Sequence, residues 1–148
     1  YSIPGIRVGW VASNTEVADI LRDYRDYTMI CAGVFDDMVA TLVLENKEAI
    51  LERNRQIVEE NLALMDAWIA KEPKASWIRP ASVSTSFVKL DVNRPIEDFA
   101  LELLQDYGVL VVPGNRFDKE SHVRIGYCCD KEVLQKGLEK LSQFLNKC

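Results

Sequence analysis

The chain carries a single histidine and no apolar run approaching the about 18 residues that cross a bilayer. No membrane span is therefore expected. Its four cysteines, Cys31, Cys128, Cys129 and Cys148, form no Cys-x-x-Cys pair, and His122 stands alone. No zinc set can be assembled at the usual spacings, so no metal is expected. That cysteine usage suits reduced thiols in a cytoplasmic protein, and a bond between the adjacent Cys128 and Cys129 would be strained. There is no excess of positive charge. The net charge of −5 argues against a general nucleic-acid binder, which would carry a basic face. Low-complexity segments, a targeting pattern and an initiating methionine are also missing. The chain opens on a turn signal beside a core-like strand, which reads as a piece of a larger protein.

What is present is a composition able to build a core: 48% hydrophobic and 28% charged residues. The first eleven residues organise the reading. Ile6 to Val11 alternates as a strand does, with Ile6, Val8 and Trp10 on one face and Arg7, Gly9 and Val11 on the other. Val123-Arg124-Ile125-Gly126-Tyr127 repeats the arrangement, with Arg124 and Gly126 sharing the polar face. Each stretch offers a guanidinium beside a gap, and a guanidinium grips phosphate or carboxylate through two parallel hydrogen bonds. Two anion anchors of one site are expected.

Between them the pattern is mostly helical. Ser13 and Glu16 have capping-box spacing ahead of a helix from about Thr15 to Tyr27. A second helix, about Val34 to Leu44, is rich enough in apolar residues to be well buried. Asn46 should cap the longest helix, about Lys47 to Lys71, with a stripe of Ile50, Ile57, Asn61, Leu64 and Trp68. At about 1.5 Å per residue it spans roughly 35–40 Å, which suits either a bridge between two parts of a larger molecule or a plain amphipathic helix. From Ala75 short strands take over: Ser76–Arg79, then Thr85–Asp91 with Ser86, Val88 and Leu90 on one face. A helix follows over Ile96–Tyr107, stopped by Gly108, then a continuous buried strand over Val109–Val112 and a loop over Pro113–Arg116. The last strand is His122–Cys128, and Asp130 caps a final helix with Val133, Leu134, Leu138, Leu141 and Leu145 inward. The predicted fold class is α+β, a short, mostly antiparallel sheet with helices packed on it plus one long helix.

The stretch Pro4-Gly5-Ile6-Arg7-Val8-Gly9-Trp10 resembles the segment that follows the Schiff-base lysine in class I/II pyridoxal-phosphate aminotransferases. Val112-Pro113-Gly114-Asn115-Arg116-Phe117, followed by His122-Val123-Arg124-Ile125-Gly126-Tyr127, resembles the C-terminal signature of the same family. The resemblance covers the whole chain, with the helices between the motifs in the family's order. It implies a parent with the three-layer α/β fold of fold-type I enzymes, acting as a homodimer. In that frame residues 1–45 are a remnant of the large cofactor-binding domain, 46–74 the linking helix and 75–148 the C-terminal small domain.

The resemblance further implies that Arg7 contacts the phosphate of pyridoxal 5′-phosphate and that Arg124 holds the substrate α-carboxylate. Ser2, in the turn beside Arg7, could also touch the phosphate, or bond its own backbone. Asn115 and Arg116 could help set substrate choice from their loop. His122 could line the substrate side or be structural. The family's lysine would stand two positions before Tyr1, so these residues alone are expected to be inactive. The implied reaction moves an amino group between an amino acid and a 2-oxo acid, with no nucleic acid or membrane as partner. Two alternatives stay open: another pyridoxal-phosphate reaction on amino acids (decarboxylase, β-lyase or synthase), or a non-catalytic ligand-binding module of the same fold.

Overall fold

The computed structural model describes residues 1–148. They form two compact units, Tyr1–Asn54 and Arg55–Cys148. In the first unit, Pro4–Ile6 is a single 3-10 turn with proline at its start, where a missing N–H costs nothing. Arg7 closes it in the left-handed region (φ 49°), its N–H donating to the Pro4 carbonyl at 3.2 Å. The expected strand over Ile6–Val11 does not form. Pro4-Gly5 turns the chain, and no strand of the sheet pairs with this stretch, so alternation alone gives no ladder. Trp10 and Val11 are exposed.

Helix α1 spans Thr15–Thr28. Its cap is Asn14, whose Oδ1 accepts from the Val17 N–H at 3.0 Å, one residue later than the expected Ser13 box. Helix α2 spans Val34–Glu45 and departs from the buried helix expected of it. Val43 is buried, but Phe35 is 83% and Met38 63% exposed. Hydrophobicity showed that this helix wants a partner without showing which atoms supply it. Asn46 joins the two helices: its Nδ2 donates to the Leu42 carbonyl at the end of α2 at 2.8 Å, and its own carbonyl accepts from the Ile50 N–H of the next helix at 3.4 Å. Helix α3, Lys47–Ile69, begins in this unit and ends in the second.

The second unit is a four-stranded sheet, β1 (Ala75–Trp77), β2 (Thr85–Leu90), β3 (Val112–Pro113) and β4 (His122–Gly126), in the order β1-β2-β4-β3. All pairings are antiparallel. Val88 lies opposite Val123 and Phe87 opposite Arg124. The period of two then sorts the faces as the sequence predicts: Val88, Leu90, Val123 and Ile125 inward, Arg124 and Gly126 outward.

The inner face is covered by α4 (Ile96–Tyr107) and α5 (Lys131–Leu145). Helix α4 contributes Ile96, Phe99, Ala100 and Leu103, and Gly108 ends it with φ 67°. Helix α5 is capped by Asp130, whose carboxylate accepts from the Glu132 N–H at 2.9 Å. Its inner face is Leu134, Leu138, Leu141, Phe144 and Leu145; Val133, expected inside, is 61% exposed. Phe144 takes the extra volume, packing its ring against Phe99 (4.8 Å) and Tyr107 (5.2 Å). The run Val109–Val112 is not a continuous buried strand. Val111 is buried, Leu110 is 76% exposed, and only Val112–Pro113 pairs. Pro113–Arg116 is likewise not a plain loop, because Gly114–Phe117 forms a 3-10 turn.

Within this unit α3 buries Asn61, Leu62 and Met65, whereas the Ile57, Leu64 and Trp68 of the expected stripe are half-buried. Asn61 is 1% exposed, and its Nδ2 donates to the carbonyls of Tyr127 (2.7 Å) and Cys129 (2.8 Å). It thereby fixes the exit of β4 to α3. Truncation would leave two buried acceptors without a donor. Asn61→Ala is expected to cost about 2–3 kcal/mol, read as a lower urea midpoint at unchanged slope.

Candidate functional site

Arg124 sits in the middle of β4, between Phe87 of β2 and Val112 of β3. The helices cover the other face of the sheet, so its guanidinium stands on the open one. No acidic side chain pairs with it. Its Cζ lies over the Phe117 ring, 5.4 Å from the centroid. With Thr85, Ser86, Phe87 and Phe117 it lines a shallow cavity of about 260 Å³. Gly126, next on the same face, would place a Cβ no nearer than 4.0 Å to its neighbours, so the space beside Arg124 stays open. A larger cavity of about 540 Å³ lies between Val109–Val111 and α5. Its walls are mainly aliphatic (Val109, Leu110, Val133, Leu134), with Lys136, Glu139 and Lys140 of α5 also lining it.

His122, on the Arg124 face as expected, stacks on Phe87 with ring centroids 4.9 Å apart and planes 16° from parallel. Burial pushes its pKa below the ordinary 6.5, and the nearby Lys119 and Lys89 push the same way. Its neutral form is therefore favoured in the folded protein. Asn115 is turned away to α4: its Nδ2 donates to Glu97 Oε2 at 2.7 Å, and Arg116 pairs with the same carboxylate. Gly114 is required at the start of this turn, because a Cβ there would collide with the carbonyl oxygens of Lys119 and His122. Phe87 and Glu97 did not stand out as site residues in the sequence, and Phe117 did so only as the last residue of the signature segment, with no role attached. The one available signal was Phe87, an aromatic on the outward face of β2, where alternation calls for a polar side chain.

Arg7 lies in the first unit, on a turn and not on a strand. Its Nη1 donates to the Pro4 carbonyl at 3.0 Å, and no carboxylate pairs with it. Cβ atoms built at Gly5 and Gly9 would meet nothing within 4 Å. The cation is thus fixed to its own turn and flanked by free space, which fits the phosphate of a cofactor. Ser2 is exposed in the same segment, in the left-handed region (φ 55°). None of the four cysteines is in a disulfide; Cys128 and Cys129 lie just beyond the end of β4, and burial pushes the Cys129 thiol up.

The family described as aminotransferase class I and II matches residues 1–141. The chain belongs to that family. A solved pyridoxal-phosphate-dependent aminotransferase from Streptococcus suis 89-1591 is 67% identical, with a TM-score of 0.93 over 99% of this chain and 39% of its own. Capreomycidine synthase of Streptomyces vinaceus is 29% identical over 98% of this chain and 38% of its own length. A probable N-acetyl-LL-diaminopimelate aminotransferase of Bacillus subtilis is 26% identical, covering 99% and 38% respectively. The chain therefore spans about two fifths of the length of these relatives. Its α+β architecture is the corresponding part of the pyridoxal-phosphate aminotransferase fold.

The His122 environment sets a pH dependence. Its folded-state pKa is lowered, so below about 6.5 the unfolded chain takes up the proton first and stability falls as pH falls. Urea midpoints measured between pH 7.5 and 5 should fall further for the native sequence than for His122→Gln. Parallel profiles would show that the stacked imidazole is not the group titrating.

Proposed function

We propose that the whole protein moves an amino group between an amino acid and a 2-oxo acid, using pyridoxal phosphate. Arg124 carries this reading: a guanidinium on a rigid strand, over an aromatic ring, beside a glycine and with no acid to neutralise it. Such a cation has two N–H edges to offer an incoming carboxylate. Arg7 would hold the cofactor phosphate, with Ser2 as a second contact. When bound, the cofactor supplies an electron sink beside the amino-bearing carbon, which makes its proton removable.

The chain's own part is binding and orientation. A carboxylate held by two parallel hydrogen bonds cannot turn freely, so Arg124 would select which α-bond is presented for cleavage. Asn115 would act on the substrate side through the turn it shares with Phe117, since its amide nitrogen is committed to Glu97. A homodimeric, cytoplasmic enzyme is part of the same proposal. The apolar side chains exposed along α1 and α2, such as Tyr24, Phe35 and Met38, support packing against further protein.

A second reading keeps the cofactor and changes the bond broken. It is favoured by the likeness to capreomycidine synthase and by a solved pyridoxal-phosphate-dependent cyclase, 27% identical with a TM-score of 0.87. One assay separates the two. The whole protein, loaded with pyridoxal phosphate, is given each common amino acid with 2-oxoglutarate as acceptor, and new 2-oxo acids are measured. Oxo-acid formation from one donor is expected; a cyclised or decarboxylated product would favour the second reading. Arg124→Ala should lower kcat/KM by about 30- to 4000-fold, equivalent to about 2–5 kcal/mol of transition-state stabilisation. Arg7→Ala should instead release cofactor on dialysis, read by its absorbance.

A further inference from the structure

Arg124 differs from the other arginines of its unit in having no acidic partner. Arg79 pairs with Asp66, Arg94 with Glu102 and Arg116 with Glu97. Arg124 has no such partner and rests over Phe117. Phe117 is not a core residue: it is 45% exposed and faces the cavity that Arg124 lines. Its ring meets Phe87 edge-on (5.7 Å between centroids, 82° between planes), and Phe87 stacks on His122. Phe87 is the cross-strand partner of Arg124, and His122 lies two residues before it on the same face. Three rings thus run from the guanidinium across the open face of the sheet.

The turn that delivers Phe117 is pinned from several directions. Glu97, in the first turn of α4, holds both Asn115 and Arg116. The Gly114 carbonyl accepts from the Lys119 N–H at 2.9 Å, and Asp118 closes the turn in the left-handed region (φ 56°). A ring so placed does for the arginine what a carboxylate could not. A carboxylate would occupy the N–H edges and cancel the charge that a substrate must meet. A ring attracts the cation through its face and leaves the N–H edges free.

We infer that Phe117 is a positioning residue for Arg124: it holds the guanidinium in place, un-neutralised, for a carboxylate. The inference rests on the proposed role of Arg124. A long arginine side chain loses much rotational freedom when it binds an anion, and a ring that has already restricted it removes part of that cost.

The test uses the whole protein loaded with pyridoxal phosphate and acetate as probe, its dissociation constant followed by NMR line broadening, with acetamide as the uncharged control. Phe117→Leu should weaken acetate about 2–5-fold, the size expected of one exposed cation–ring contact, and leave acetamide and cofactor absorbance unchanged. Phe117→Tyr, which keeps the ring, should bind acetate as the native sequence does. Should Phe117→Leu fold poorly, 4-fluoro- and 3,4,5-trifluorophenylalanine at position 117 keep the shape while draining the ring face. Acetate affinity should then fall stepwise with fluorine. If Arg124→Ala loses acetate but affinity is flat across the ring series, the positioning role is overturned and the Arg124 reading stands. If Arg124→Ala binds acetate as the native sequence does, the reading of Arg124 falls, and the role of Phe117 with it.

Discussion

The pairing register of β2 against β4 is the constraint on which the second unit depends. With Val88 opposite Val123, the apolar side chains of both strands face the helices and Arg124 faces out. A slip of one residue would drive the guanidinium into the core and expose Val123, Ile125 and Tyr127, all less than a tenth exposed. Burying an unpaired cation costs far more than any hydrogen bond of the ladder returns, so alternative registers are strongly disfavoured. Two further contacts hold the strand ends. Asn61 grips the chain just after β4, and the Tyr127 hydroxyl donates to the Val83 carbonyl just before β2. The side chain proposed to bind substrate is thus placed by the same alternation that builds the core.

The two proposed anion anchors reach a similar end by different routes. Arg124 is placed by a long-range ladder, with neighbours on both sides drawn from distant parts of the chain. Arg7 is placed locally, by a 3-10 turn three residues long and a bond to its own Pro4 carbonyl. Both lie beside a glycine with free space at its Cβ, and neither pairs with an acid. The shared feature is a cation kept un-neutralised in a chain of net charge −5. Carboxylates outnumber cations here, so what both arginines share, a charge left uncancelled beside open space, is what the proposed binding of an anion would use.

How far the sequence could be read follows from where each feature gets its energy. The alternation of β2 and β4, the helix Ile96–Tyr107 and the caps at Gly108 and Asp130 were legible because local pattern and packing agree there. Ile6–Val11 has a strand's pattern, yet a strand is a pairing, and the pattern says nothing of the partner. The apolar residues of α2 led to the same kind of error, since burial depends on what lies opposite. Val133 and Phe144 are both reachable from one helix face; which goes inside was decided by the room between Phe99 and Tyr107, a volume no helical period contains. At the candidate site, the arginines were visible through their glycine neighbours. His122 was placed on the Arg124 face, but its stacking with Phe87 and the contact of Phe87 with Phe117 were not legible, because these rings meet only after a strand pairing and a turn have formed.

That difference bears on how such a site can change. The guanidinium of Arg124 is fixed by the sheet, and any residue put in its place inherits an outward direction. The turn carrying Phe117 is fixed by side chains, the Glu97 carboxylate and the bare Cα of Gly114. Substitutions at the turn can therefore alter how firmly the cation is held while the strand beneath it keeps its register. Since the turn also carries Asn115 and Arg116, the cation's setting and the loop's surface are altered together through Glu97. A fold of this kind separates the element that supplies charge from the one that tunes it.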